Sequence, residues 1–220
     1  MGTTTITKPE TPARSGDNGR GRGEFGGDFG GGGWEARPWE VPSRTYRLGM
    51  WFALTGIVML FAAFTSAMVV RRGMSFDWVS IEVPRVLWVN TLLLLVSSGT
   101  FELSRRALTA GERHGFRRWL NLTVVLGVAF LAGQLVAWRE LASRGVYLST
   151  NPSSSFFYLL TAAHGVHLLG GVVALGYVVL RAGRMASRQA RRTALDVTAI
   201  YWHFMDALWI YIFFLLTRWL

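Results

Sequence analysis

The sequence predicts an all-α, polytopic membrane protein: a bundle of five transmembrane helices behind a polar amino-terminal tail. Three observations predict it. The 220 residues are 51% hydrophobic and include ten tryptophans, and mean hydropathy is positive, a balance that suits a membrane bundle better than a soluble core. The apolar residues gather into five runs of 19 to 25 residues, none with the two-residue alternation of a strand. Lys and Arg lie outside the apolar hearts of those runs and favour one side of them.

Taken in order, residues 1–43 contain no apolar run, and ten of the eighteen residues from Gly16 to Gly33 are glycine, broken by Arg20, Arg22, Glu24 and Asp28. Such a Gly/Arg-rich stretch cannot bury enough surface to fold, so a disordered tail is expected, with Trp34 and Trp39 its candidate anchoring residues. Two Arg-Gly steps are too few for an RNA-binding segment. No signal peptide is expected, because the first apolar run begins near residue 48 and is too long for a cleavable one. Residues 44–220 then carry the spans Leu48 to Val70, Val86 to Ser104, Trp119 to Trp138, Phe156 to Leu180 and Val197 to Thr217. In lipid a backbone has no water to bond, so each run closes its own hydrogen bonds as a helix. The second has the shortest uncharged core, Val86 to Phe101. Glu102 follows it and is expected to snorkel to the headgroups or to pair with Arg105, three residues on.

Seventeen of the 23 Lys and Arg residues precede the first span or fall in the second and fourth connections; the rest are Arg71, Arg72, Arg85, Arg139, Arg144 and Arg218. By the positive-inside rule the amino terminus is cytoplasmic and the carboxyl terminus outside. The net charge of +10 is thereby explained without nucleic acid, and the Arg-rich loops from Arg105 to Arg118 and Arg181 to Arg192 are placed against anionic headgroups. The absence of cysteine excludes disulfides, thiolate-held iron–sulfur clusters, Cys-ligated haem and a cysteine-bridged copper centre.

The polar residues inside the spans are few. Asp206 lies in the last span, which covers about 31 Å at ~1.5 Å per residue, and a carboxylate near its middle costs ~2.5 kcal/mol or more. His203, three residues away on the same face, is expected to pair with it. In the fourth span Thr161, His164, His167 and Gly171 share an arc of about 120° at ~100° per residue, a small-and-polar stripe suited to helix packing. Ligation of haem or metal by His164 and His167 facing His203 is the other reading, but the repeated opposed histidines of a four-helix haem site do not occur. In the third span Gly127, Gly133 and Gln134 suit packing, as Asn90, Thr91, Ser97 and Ser98 in the second suit interhelical hydrogen bonds. No HExxH, clustered carboxylates or nucleotide loop occurs in the spans, so no catalytic residue is assigned.

Four stretches in order resemble one family. The last span, Tyr201-Trp202-His203-Phe204-Met205-Asp206-Ala207-Leu208-Trp209, closely resembles the final helix of the cytochrome c oxidase subunit III (haem-copper oxidase subunit III) family. Thr161 to His167, with its His164-Gly165-Val166-His167 core and Gly170-Gly171 beyond, is similar to its penultimate helix. Gly49-Met50-Trp51 leading to Val58-Met59-Leu60-Phe61, and Asn90-Thr91-Leu92-Leu93-Leu94, resemble its earlier core helices, so that the likeness covers roughly residues 44 to 220. The resemblance implies a five-helix bacterial type of non-catalytic integral subunit in the plasma membrane. It would stabilise the haem-bearing catalytic subunit I, and through it meet subunit II, and support proton uptake in aerobic electron transport. No cofactor is then expected in this chain; haem and copper belong to the partners, and phospholipid is bound between helices. His167, Arg191 and Arg192 are its candidate phosphate contacts.

The chain departs from the family's pattern in three places. Family members of full length have seven helices, so another subunit is expected to supply the leading two. Ile57 stands where the family's first core helix carries a glutamate, and Gln134 to Trp138 lacks the acid of the family's Gln-x-x-Glu-Tyr pattern. Roles resting on those acids do not carry over. Two other readings remain at this stage: an accessory subunit of a nitric oxide reductase, and a small proton or solute transporter using His164, His167, His203 and Asp206. A haem-binding anchor is a third. Membership of a larger respiratory supercomplex is left open.

Overall fold

The computed structural model describes residues 2, 43–74, 78, 83–181 and 188–219; the expected tail, with Trp34 and Trp39, otherwise lies outside them. Five helices form: α1 (Ser43–Met74), α2 (Val86–Ala110), α3 (Arg113–Ser143), α4 (Pro152–Arg181) and α5 (Arg188–Trp219). Each contains one expected span and is long and apolar enough to cross a membrane, and no strand occurs among the described residues. The protein is a multi-pass membrane protein.

Helices α2, α3, α4 and α5 form a ring in which α2 meets α3 and α5, and α4 meets α3 and α5. Helix α1 lies outside that ring, across α4 and α5. Helix α5 therefore has three neighbours, and 56% of its most apolar window is buried against 22% for α1. Its Trp202, Met205, Trp209, Ile212 and Leu216 are fully enclosed.

The helix ends follow local chemistry. Asn151 caps α4: its Oδ1 accepts from Ser154 N at 2.8 Å while Asn151 N donates to Ser154 Oγ at 3.2 Å, a reciprocal capping box ahead of Pro152. Helices α2 and α3 end on the left-handed glycines Gly111 (φ 83°) and Gly145 (φ 79°), after which Glu112 N donates to Ala107 O and Val146 N to Leu141 O, both at 3.0 Å. One expectation is corrected here. The Arg105 to Arg118 stretch is not a loop, because α2 runs on to Ala110 and α3 resumes at Arg113. Ala, Leu and Arg are strong helix formers, and only Gly111 and Glu112 separate the two helices.

Candidate functional site

Indole and hydroxyl groups align the helices within the ring. On α5, Trp202 Nε1 donates to Ser97 Oγ at 3.2 Å and Trp209 Nε1 to Thr91 Oγ1 at 3.0 Å, both on α2. Tyr201 OH donates to His167 O on α4 at 2.7 Å, and Tyr211 OH to Thr65 Oγ1 on α1 at 3.0 Å. Between α3 and α4, Trp138 Nε1 donates to Thr161 Oγ1 at 3.1 Å; between α2 and α3, the hydroxyls of Thr100 and Thr123 meet at 2.9 Å. Several of these threonines also donate to the carbonyl four residues back, so each hydroxyl can give one bond and accept another without water: Thr91 to Leu87, Thr123 to Trp119 and Thr161 to Phe157. The sequence pointed to Asn90, Thr91, Ser97 and Ser98 but not to the tryptophans that meet them.

Glycine makes room for these rings. A Cβ on Gly127 would stand 2.8 Å from Trp202 Cη2 and 3.0 Å from Val172 Cγ2; one on Gly171 would stand 3.0 Å from Tyr201 Cε1. Gly133 is likewise filled by the side chain of Asn90, whose Nδ2 donates to Phe130 O at 3.5 Å.

The expected His203–Asp206 pair does not form. His203 Nδ1 instead shares a hydrogen bond of 2.7 Å with Ser98 Oγ on α2, while Asp206 is buried with both oxygens unpartnered among the described residues. Three residues on a helix stand about 60° apart in azimuth, enough here to turn Asp206 inward and leave His203 half-buried at the edge of the α2–α5 seam.

The histidines face three different neighbours. His164 is fully buried between Phe130 (ring centroids 5.8 Å) and Trp209 (5.0 Å), and neither ring nitrogen is bonded among the described residues. His167 turns toward Phe61 on α1 at 6.0 Å, with Nδ1 2.7 Å from Ala163 O. His203 faces α2. The three imidazoles therefore do not converge, and no three His, Asp or Glu side chains gather into a metal site among the described residues. Gln134 is buried one turn beyond Phe130 on α3, with its amide unpartnered among the described residues.

A second polar cluster lies at the arginine-rich end of the bundle. Arg105 donates to Glu102 at 3.0 Å and to Asp196 at 2.9 Å, and Arg47 reaches the other oxygen of Asp196 at 3.2 Å, so one carboxylate joins α1, α2 and α5. The Glu102–Arg105 pairing expected from the sequence is present. Arg106 approaches Glu102 at 3.5 Å. A cavity of about 640 Å³ opens between α2 and α5 here, lined by Glu102, Arg105, Arg106, Asp196 and Arg192 among others. Asp196 went unnoticed in the sequence because it immediately precedes the apolar run; its signal is a lone acid just after Arg191 and Arg192 at a span boundary.

Of the three candidate phosphate contacts, His167 lies deeper in the bundle than the two arginines. Tyr201 OH marks the level of His167 on α5, ten residues or about 15 Å from Arg191. Arg191 and Arg192 share the arginine-rich end.

The family model described as cytochrome c oxidase subunit III matches residues 42–220, the whole five-helix region. Among curated relatives, the chain is similar to the cytochrome c oxidase subunit 3 of Thermostichus vulcanus, 32% identical over 176 residues that cover 77% of this chain and 85% of that protein. It is 36% identical over 133 residues to the Corynebacterium diphtheriae subunit 3, covering 60% of this chain and 64% of that one. With the probable subunit 3 of Mycobacterium tuberculosis it shares 37% identity over 123 residues, 56% of this chain and 61% of that protein. The chain thus spans about three fifths of the length of these last two relatives.

Proposed function

Because the chain belongs to the cytochrome c oxidase subunit III family, we propose that it is the non-catalytic integral subunit III of a bacterial haem-copper terminal oxidase. In that role it packs beside the catalytic subunit I in the plasma membrane, stabilises it, supports its proton uptake and seats phospholipid. Haem and copper reside in the partner subunits. The observation that carries this reading is the match of one family to every helix of the bundle, from residue 42 to residue 220. The names of the relatives favour an oxidase over a nitric oxide reductase or a transporter.

The bias of basic residues supports a cytoplasmic amino terminus, so the Arg47–Asp196–Arg105 cluster sits at the cytoplasmic surface. Arg191 and Arg192 at that level suit a lipid phosphate.

The test is purification in mild detergent through a carboxyl-terminal tag, with visible spectra and oxygen consumption recorded before and after partners are stripped away. Haem and oxygen uptake are expected to arrive with a large multi-helix partner and to leave with it. Haem that stays on the bare chain, or a chain that purifies without a partner, refutes the reading.

A further inference from the structure

The outward face of the seam between α2 and α5 carries a polar group where a lipid-facing surface has no use for one. Asp196, Ile200, His203, Ala207 and Ile210 fall on one stripe of α5 when stepped at ~100° per residue, and Ala207 and Ile210 are exposed. His203 lies seven residues from Asp196, about 10 Å deeper than the arginine-rich end, and is half-buried. Ser98 occupies Nδ1 at 2.7 Å; no group among the described residues bonds Nε2. In either neutral tautomer that nitrogen is a donor or an acceptor left open. An acyl chain offers it nothing, and an unsatisfied polar group in hydrocarbon costs several kcal/mol. Behind the pair, Asp206 is 5% exposed, and neither of its oxygens is bonded among the described residues.

We propose that this face receives a transmembrane helix of another oxidase subunit, whose hydrogen-bonding side chain meets His203 Nε2. The proposal rests on the subunit reading above. Ala207, small and exposed one turn from His203, lets the incoming backbone come close, as small residues do at interfaces between membrane helices. The same seam runs into the 640 Å³ cavity, whose lining includes Arg106 and Arg192. A helix seated here therefore carries a polar residue about 10 Å inside the membrane and an acidic residue where it emerges past those arginines.

The experiment is photo-crosslinking in native membranes that contain the whole oxidase. Benzoylphenylalanine replaces Leu95 or Ala207 on the seam, or Val125 or Val166 on the exposed faces of α3 and α4. Adducts are captured through the tag and identified by mass spectrometry. Positions 95 and 207 are expected to join an oxidase subunit. In the Ala207 series, His203→Leu is expected to lower the protein adduct about fivefold, and His203→Gln, which keeps a hydrogen-bonding group, to retain most of it. Lipid adducts alone at 95 and 207, with protein adducts from 125 or 166, overturn the proposed face and leave the subunit reading intact. No oxidase adduct from any of the four positions, together with failure to copurify, overturns both.

Discussion

Gly127→Ala tests how Trp202 is held, since the new methyl would meet the indole at 2.8 Å and Val172 at 3.0 Å. Carbon atoms rest at about 3.5–4.0 Å, so the ring or α3 must give by nearly 1 Å. The ring has little freedom: Trp202 is fully buried, and its Nε1 bond to Ser97 is already 3.2 Å long. Overpacking of this kind costs about 1–3 kcal/mol, and loss of the indole bond adds about 1 kcal/mol, for a total of roughly 2–4 kcal/mol. The assay is equilibrium unfolding of the purified chain in mixed SDS micelles, followed by far-ultraviolet circular dichroism. Trp202→Phe removes the atom that clashes, so the double variant should lose at least about 1 kcal/mol less than the two single changes combined. A Gly127→Ala chain within about 0.5 kcal/mol of the parent, or strict additivity in the cycle, would refute the tight seat.

Ser97→Ala leaves the buried Trp202 Nε1 without an acceptor and should cost about 1–3 kcal/mol in the same assay; Ser98→Ala, facing the half-buried His203, should cost less. Asp196→Ala removes two ion pairs whose members are a third to a half exposed, so it should cost only about 1 kcal/mol, and the difference should shrink in about 0.5 M salt. Asp206→Asn takes away a buried carboxyl group that accepts no bond among the described residues, and should leave the bare chain at least as stable as the parent. A loss beyond about 1 kcal/mol there would show that the carboxylate is held by something the unpartnered oxygens do not reveal.

The five helices were legible because length and apolarity alone decide what crosses a bilayer, and every expected span lies inside its helix. Their ends were less so. Nothing in hydropathy shows that α2 continues through Arg105 and Arg106 to Gly111, since a helix in the headgroup layer needs only residues that tolerate helical geometry. The polar residues of the site were visible as outliers in apolar runs, but their partners were not. Tryptophan counts as apolar in any such reading, so the donors of Trp138, Trp202 and Trp209 stayed hidden behind their rings.

The miss at His203 and Asp206 has a more general cause. Spacing along one helix fixes the azimuth between two side chains, here about 60°, and says nothing of where a neighbouring helix draws the line between them. That line is set by shape on the other helices. Gly127 on α3 and Gly171 on α4 admit the rings of Trp202 and Tyr201, which fixes the rotation of α5 against both. With α5 turned that way, Asp206 points into the ring and His203 is carried to the seam, where Ser98 is the nearest polar group. The glycines that looked like mere packing residues in the sequence therefore decide which of the two polar side chains faces outward, and so which one is available to a partner.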